Sequence, residues 1–176
     1  MADGQLEIER KFLVDDGWVM PGGLVGVPMR QAYLTAEHAV PEVRIRWTAA
    51  GSTMTIKAPA GLTSVATVRT EIEFPLADDV FEQLWALPSV DRLDKVRTVV
   101  QVGPVEAAVD TYAGDLAPLR VVEVEFASLA EATAFEPPAW FGPEVTGQKR
   151  YGNRALAIQA SARSAGPGLS APGSTR

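Results

Sequence analysis

The 176-residue sequence contains no cysteine and a single histidine, His38. The lack of cysteine excludes a disulfide framework, a zinc site built from thiolates and a cysteine nucleophile. One histidine cannot build a multi-histidine metal site, and the sequence does not favour a Ser-His-Asp triad. His38 lies in the loop-like stretch TAEHAVPE, where we expect an exposed loop residue.

Long apolar runs and an excess of positive charge are also missing. No apolar run approaches the ~20 residues that a membrane-spanning helix needs. The first residues, MADGQ, lack the basic and apolar regions of a signal peptide. The net charge of −6 argues against general nucleic-acid binding, which depends on clustered Lys and Arg. We therefore expect a cytoplasmic protein that binds neither nucleic acid nor a membrane.

Segments in which apolar and polar residues alternate dominate the chain, as is typical of antiparallel strands. The length favours one domain, at 1–160, followed by a disordered Ser-, Gly- and Pro-rich tail at 161–176. Helices are predicted at 77–87, 128–135 and 151–159, the second from the capping pair Ser128 and Glu131. The predicted strands are 5–14, 27–35, 42–48, 53–58, 65–74, 95–102, 105–112 and 119–126. The predicted fold is thus α+β, mainly antiparallel β, with a barrel or strongly curved sheet.

Charged residues alternate with apolar ones in several of these strands. The pattern begins in LEIERKFLV at 6–14 and returns in EVRIRW, MTIKA, VRTEIEF, DKVRTVV and VVEVEF. In a single strand, this pattern usually means a charged face in water. Three features favour an inward-facing charged side here. Paired carboxylates recur as ExE, the basic residues are mostly Arg, and amphipathic helices are available to cover the apolar side.

A closed sheet with its polar face inward would gather many carboxylates and cations in one space. Crowded carboxylates in a low-dielectric site either bind metal or take up protons. Mg²⁺ and Mn²⁺ accept carboxylate oxygens and keep room for water and phosphate. Arg and Lys on facing strands would hold a polyanion. This combination suits phosphoryl transfer, in which positioning and charge neutralisation provide most of the catalysis.

The segment EIERKFLV also carries an ExExK signature, followed in order by RQAYLT, VRIRW, TIK, EIEF, DKVRT, VVEVEF and PPAWFGPEVTGQKRYGNRALA. With these motifs the chain resembles the CYTH superfamily, the triphosphate tunnel metalloenzymes, from Glu7 to Ile158. It is most similar to the short bacterial inorganic triphosphatases, or tripolyphosphatases. The resemblance implies an eight-stranded closed β-barrel that forms a tunnel, with a polar interior, helices packed outside, and bound Mg²⁺ or Mn²⁺.

The resemblance further implies roles for individual residues. Glu71 and Glu73 match acidic positions of the family, either as salt-bridge partners of the basic residues or as metal contacts. An acidic residue usual before the KRY element is replaced by Gln148. The implied metal ligands are Glu7, Glu9, Asp110, Glu123 and Glu125. The implied phosphate ligands are Lys11, Arg44, Arg46, Lys57, Lys95, Arg97 and Lys149.

Tyr33 and Lys57 resemble the catalytic dyad of the tripolyphosphatase branch. A nearby ammonium would lower the pKa of the phenol from its usual ~10 and help it to assist water attack. The alternative for Tyr33 is a structural position in the tunnel wall. Strand parity places Gln31 and Tyr33 on the same face, which agrees with an inward orientation.

The leading functional expectation is metal-dependent hydrolysis of inorganic triphosphate to pyrophosphate and phosphate. A class IV adenylate cyclase and a nucleoside or thiamine triphosphatase stay open, since Trp18 could stack on an organic group whereas Trp47 points to the apolar face. A non-catalytic polyphosphate- or nucleotide-binding module is a further alternative. The full set of carboxylates argues against it, because they would repel a bound anion. The oligomeric state is open, a homodimer included.

Overall fold

A computed structural model describes residues 8–62, 67–88 and 90–164, with the backbone alone at 59–62, 67–70 and 164. The strands in chain order are β1 (Ile8–Val14), β2 (Val27–Tyr33), β3 (Glu42–Thr48), β4 (Gly51–Leu62), β5 (Thr67–Leu76), β6 (Asp91–Val102), β7 (Val105–Tyr112), β8 (Arg120–Phe126) and β9 (Phe141–Glu144). The α-helices are α1 (Asp78–Trp85), α2 (Leu129–Ala134) and α3 (Asn153–Ser164).

The eight predicted strands and three predicted helices are all found, with shifts at their ends. The predicted positions 5–7 of the first strand and 65–66 of the fifth lie outside the described residues. Ser128 caps α2 as predicted, because its side chain accepts a hydrogen bond from the Glu131 amide. The tail was predicted from Ser161, whereas α3 continues to Ser164. The rest of that tail, 165–176, is outside the described range.

All nine strands form one antiparallel sheet in the order β5-β4-β3-β2-β6-β7-β8-β1-β9. The ninth strand, which the sequence analysis missed, has only four residues, and proline occupies one of them. A closed barrel, as the resemblance implied, would need hydrogen bonds between the two edge strands of the sheet. Among the described pairings, none joins β5 to β9 at the opposite edge. The physical reason is that β9 pairs with β1 around Phe12 and Val14 and so occupies part of the edge that closure would need.

The apolar side of the sheet is covered by two separate cores, as the amphipathic strands predict. Near α2, Phe12 and Val124 pack in one core with Phe141 of β9. Under α1, Ile45 packs with Phe81 in the other core, where both are fully buried. Helices therefore cover the outside of the sheet, and the opposite face is left for the polar side chains.

The third helix lies on that opposite face, across one end of it. Leu156 and Ala157 of α3 pack against Leu93, Tyr112 and Val121, which belong to β6, β7 and β8. Helix α3 therefore closes one end of the polar face. None of the helices in the described ranges has the length and apolarity needed to cross a membrane.

Replacing Phe81 by alanine should destabilise the protein strongly, because this fully buried ring anchors α1 to the sheet. We expect Phe81→Ala to lower the free energy of unfolding by about 3–5 kcal/mol, measured by urea denaturation. Its neighbour Val80, which is 38% exposed, is the matched control, and Val80→Ala should change stability by no more than about 0.5 kcal/mol. Equal losses in the two variants would contradict this account of how α1 is held.

Candidate active site

The charged side chains predicted from the strand patterns lie on one face of the sheet. Alternate residues of a strand point to the same face, and directly paired residues share it. The register pairs Lys11 with Glu123, and Arg97 with Asp110. On the other half of the sheet it pairs Lys57 with Glu71. The strands therefore bring these acidic and basic residues together on one face, as expected if the charged side of the sheet faces inward.

Asp110 of β7 is the centre of the first charged cluster and is fully buried. The Lys95 ammonium donates to its Oδ2 atom at 2.6 Å. Arg97 makes a two-point contact, with Nε 2.7 Å from Oδ1 and Nη2 2.7 Å from Oδ2. Both oxygens of Asp110 are thus bound by cations of the neighbouring strand, which is the geometry of a residue that positions Lys95 and Arg97.

Burial and neighbouring charge act in opposite directions on the pKa values in this cluster. Burial lowers the pKa of Lys95 below its ordinary value, and the attraction of Asp110 only partly opposes this effect. Burial alone would raise the pKa of Asp110, but the hydrogen bonds from Arg97 and the charge of Lys95 hold it below the usual range. At neutral pH, Asp110 is therefore a carboxylate that keeps two cations in place.

The cluster continues from Arg97 to the first strand. Arg97 Nη2 contacts Glu123 Oε2 at 2.7 Å, and Lys11 Nζ contacts Glu123 Oε1 at 2.9 Å. Lys11 also lies 3.6 Å from Glu9. An unbroken chain of ion pairs thus crosses β6, β7, β8 and β1, and it contains three predicted metal ligands and three predicted phosphate ligands.

Glu9 and Glu125 offer the best donor set for a divalent metal ion among the described residues. The two residues lie directly opposite each other on β1 and β8. Carboxylates in this position repel each other, and a bound cation would remove the repulsion. In the described ranges, no three Asp, Glu or His side chains already converge on one point. Two carboxylates would suit an ion that takes the rest of its coordination from water and phosphate oxygens, as Mg²⁺ does.

The second charged cluster lies on β3, β4 and β5. Lys57 Nζ contacts Glu71 at 2.8 Å, and Arg46 Nη2 contacts Glu73 at 3.2 Å. Arg44 lies 3.7 Å from Glu71 and 3.9 Å from Glu73. Each acidic residue thus contacts two basic ones. This is the arrangement expected if Glu71 and Glu73 hold the basic side chains in position.

Tyr33 lies on the same face as these clusters but is only 3% exposed. Burial raises the pKa of its phenol to about 12, whereas the proposed dyad with Lys57 requires a lowered value. The Tyr33 hydroxyl accepts a hydrogen bond from Gln31 at 2.6 Å. Strand β3 separates Tyr33 from Lys57, and neighbouring strands are about 5 Å apart. In this structure the Lys57 ammonium is paired with Glu71 instead.

The other predicted residues in the described ranges form no ion pair with the two charged clusters. Lys149 is exposed in a 3-10 turn at Lys149–Tyr151, and His38 is an exposed loop residue as expected. Glu7 lies outside the described residues. Trp18, the candidate for stacking on an organic group, instead stacks on Trp140 with the ring centroids 4.3 Å apart. It packs against the core on the outer side of the sheet, away from the polar face.

Two residues of this face were missed by the sequence analysis. Asn153 of α3 accepts hydrogen bonds from Lys95 at 3.2 Å and from the Tyr112 hydroxyl at 2.6 Å, both at its Oδ1 atom. Strand parity could have found Tyr112, which lies two residues after Asp110. No local pattern could have found Asn153, because its position depends on how α3 packs against the sheet.

Comparisons with known proteins agree with this architecture. The CYTH domain matches residues 5–136 of the chain. An inorganic triphosphatase from Nitrosomonas europaea is 42% identical over 86% of this chain and 97% of its own length. An inorganic triphosphatase from Acetivibrio thermocellus is 31% identical over 85% of this chain and 92% of its own. The crystal structure of the inorganic triphosphatase NE1496 has a TM-score of 0.69 and 41% identity, and covers 87% of this chain and 95% of that one.

Removing the charge of Asp110 should destabilise the protein, because Lys95 would stay buried beside a neutral group. We expect Asp110→Asn to cost about 3–5 kcal/mol at pH 7 in urea denaturation. The pKa of Asp110 is lowered by folding, so its contribution is present above the unfolded value of ~3.9 and is lost as the pH falls. The difference between the two proteins should therefore shrink below about pH 4.

The exposed pair of Arg10 and Glu144, 2.8 Å apart, provides the control for this prediction. Glu144→Gln should cost less than about 1 kcal/mol under the same conditions, because solvent screens the pair. If Asp110→Asn costs no more than Glu144→Gln at pH 7, the buried cluster does not stabilise the fold in the way described.

Proposed function

The chain belongs to the CYTH-domain family, and on that premise we propose that it hydrolyses inorganic triphosphate to pyrophosphate and phosphate with a divalent metal ion. The observation that supports this most directly is the row of cations on the polar face. Guanidinium and ammonium groups from four strands lie on this face, and Arg groups bind phosphate oxygens in a two-point manner. The predicted phosphate ligands among them are Lys11, Arg44, Arg46, Lys57, Lys95 and Arg97.

Each of these cations lies in an ion pair with a carboxylate. The carboxylates hold the long side chains in fixed positions before the substrate arrives, which lowers the entropy cost of binding. Lys95 is the least accessible of the six, with its side chain 2% exposed, and we assign it mainly to holding Asp110 and Arg97. Arg44, Arg46, Lys57, Lys11 and Arg97 then provide the direct phosphate contacts, with Lys149 joining them from the 3-10 turn.

We propose Mg²⁺ or Mn²⁺ as the metal, held by Glu9 and Glu125 with contributions from Glu123 and Glu7. When bound, the ion would supply positive charge against the charge that develops on the phosphoryl oxygens. The ion-paired state of Asp110 favours a positioning role for this residue over direct metal contact. The same reasoning applies to Glu71 and Glu73, whose carboxylates contact the basic side chains of β3 and β4.

Tyr33 acts in this proposal as a hydrogen-bond donor. With a pKa of about 12 the phenol keeps its proton at neutral pH, so it can donate to a phosphate oxygen or orient a water molecule. Lys57, two strands away on the same face, would bind the phosphoryl group from the other side. A substrate placed between them would bring the two groups into one reaction without a direct contact between their side chains.

The aromatic residues support an inorganic substrate over a nucleotide or thiamine triphosphate. Among the described strands, the aromatic side chains on the polar face are those of Tyr33 and Tyr112, both 3% exposed. Stacking on a base or a thiazole ring needs an open aromatic surface, and Trp18 provides one only on the outer side of the sheet.

Phosphate release should show this preference directly. We expect turnover of tripolyphosphate with Mg²⁺ or Mn²⁺, its loss in EDTA, and slower release from ATP and thiamine triphosphate at equal concentrations. The physical reason is that the polar face carries cations for phosphate, whereas the aromatic rings on its described strands are buried and offer no open face to the organic group. Turnover of ATP equal to or faster than that of tripolyphosphate would contradict the substrate assignment, and full activity in EDTA would contradict the metal assignment.

Replacing Glu9 by glutamine separates metal binding from phosphate binding. We expect Glu9→Gln to lower turnover at least about 100-fold, because one carboxylate ligand of the metal is lost. Its affinity for tripolyphosphate in EDTA, measured by calorimetry, should be unchanged or tighter, since a negative charge near the substrate is removed. Glu136→Gln, an exposed position on a loop, is the control and should behave like the wild type. A Glu9→Gln protein with normal turnover would show that Glu9 is not a metal ligand.

A further inference from the structure

Asn153, the first residue of α3, connects that helix to two strands of the polar face through a single atom. Its Oδ1 accepts one hydrogen bond from Lys95 Nζ of β6 at 3.2 Å and another from the Tyr112 hydroxyl of β7 at 2.6 Å. An amide oxygen has two lone pairs, and both are used here. Lys95 and Tyr112 are each 3% exposed, so solvent offers them little replacement for this partner.

Lys95 is the first member of the chain of ion pairs that reaches the proposed phosphate ligands. It shares the Oδ2 atom of Asp110 with Arg97 Nη2, at 2.6 and 2.7 Å. Any shift of the Lys95 ammonium therefore changes the position of the Asp110 carboxylate, and with it the plane of the Arg97 guanidinium. Arg97 and Lys11 both contact Glu123, so the same shift is passed on to Lys11.

We propose that Asn153 is a positioning residue for the triphosphate site, which it serves by fixing Lys95 and Tyr112 and, through Asp110, the orientation of Arg97. This inference rests on the proposed function of the polar face. Asn153 does not itself need to contact the substrate, because its effect passes through the groups that it holds.

The rest of α3 is attached to the sheet independently of Asn153. Leu156 and Ala157 are buried against Leu93 and Val121 on the polar face of the sheet. Arg154 lies 3.7 Å from Glu42, donates to the Thr35 carbonyl and lies over the Tyr33 ring. At the far end of the helix, Arg163 donates to the Asp115 carbonyl at 2.7 Å. These contacts hold α3 on the sheet without the help of Asn153. The Asn153 amide therefore serves to position Lys95 and Tyr112 and is not needed to attach the helix.

The test replaces Asn153 by leucine, which has a similar volume and no acceptor. We expect Asn153→Leu to lower kcat/KM for tripolyphosphate about tenfold or more, because a misplaced Arg97 binds the phosphoryl group less well. The affinity for tripolyphosphate in EDTA should fall as well. Arg163→Ala is the control on the same helix, since it removes an anchor far from the site, and it should leave kcat/KM unchanged. If Asn153→Leu does not fold, Asn153→Ala replaces it in the test. The smaller alanine side chain leaves room for water beside Lys95 and Tyr112.

A double-mutant cycle with Tyr112→Phe distinguishes positioning from a general effect on stability. Asn153 and Tyr112 act through one hydrogen bond. The fold-decrease in kcat/KM that Tyr112→Phe causes should therefore be at least about three times smaller in the Asn153→Leu background than in the wild type. Thermal-unfolding midpoints of the same four proteins give the coupling for stability. Coupling in the midpoints with unchanged kcat/KM, or independent effects on kcat/KM, would overturn the inference.

The wild-type protein in the same assays shows whether the proposed function itself fails. Wild-type turnover together with normal turnover of Asn153→Leu would overturn only the positioning role. A wild type that binds tripolyphosphate without hydrolysing it would overturn the hydrolysis, and the affinities of the variants would then decide the role of Asn153. A wild type that neither binds nor hydrolyses tripolyphosphate would overturn both proposals.

Discussion

The buried carboxylate of Asp110 is the interaction on which the rest of the polar face depends. A buried charge is costly unless cations and hydrogen bonds compensate it. Here Lys95 and Arg97 provide that compensation from the neighbouring strand. Lys95, whose side chain is 2% exposed, is itself too buried to be stable without an anion, so Lys95 and Asp110 keep each other in place. Arg97 extends this network to Glu123 and through it to Lys11 of β1, and Lys95 extends it to Asn153. One buried charge thus connects four strands and a helix.

The charged side of this sheet is partly shielded from solvent, which is unusual for a half-buried antiparallel sheet. In most antiparallel sheets the charged side is in water and the apolar side forms the core. Here the apolar side does form cores, under α1 and α2, yet α3 also packs on the charged side and shields one end of it. The shielding lowers the effective dielectric around the ion pairs, which strengthens their mutual attraction and raises the cost of leaving any of them unpaired.

The periodic features of this structure could be predicted from the sequence. Alternation in LEIERKFLV and VVEVEF puts Lys11 and Glu123 on the polar face of their strands, where the structure pairs them. The capping pair at Ser128 marks the start of α2. The short strand β9 could not be predicted, because its four residues pair only where β1 offers an edge. Neither could the environment of Tyr33, whose burial raises the pKa that a nearby ammonium was expected to lower. Such features depend on packing between distant segments, which periodicity does not report.

The pairing of every predicted strand-borne cation with a carboxylate has a consequence for metal dependence. Positive charge on the polar face is already compensated before the substrate arrives. Triphosphate would therefore add negative charge that the existing cations neutralise only by releasing their carboxylates. A released carboxylate in a low-dielectric space must find a new cation or take up a proton. Divalent ions accompanying the substrate would satisfy both the phosphate oxygens and the carboxylates, so a face built from compensated ion pairs favours a substrate that arrives with metal.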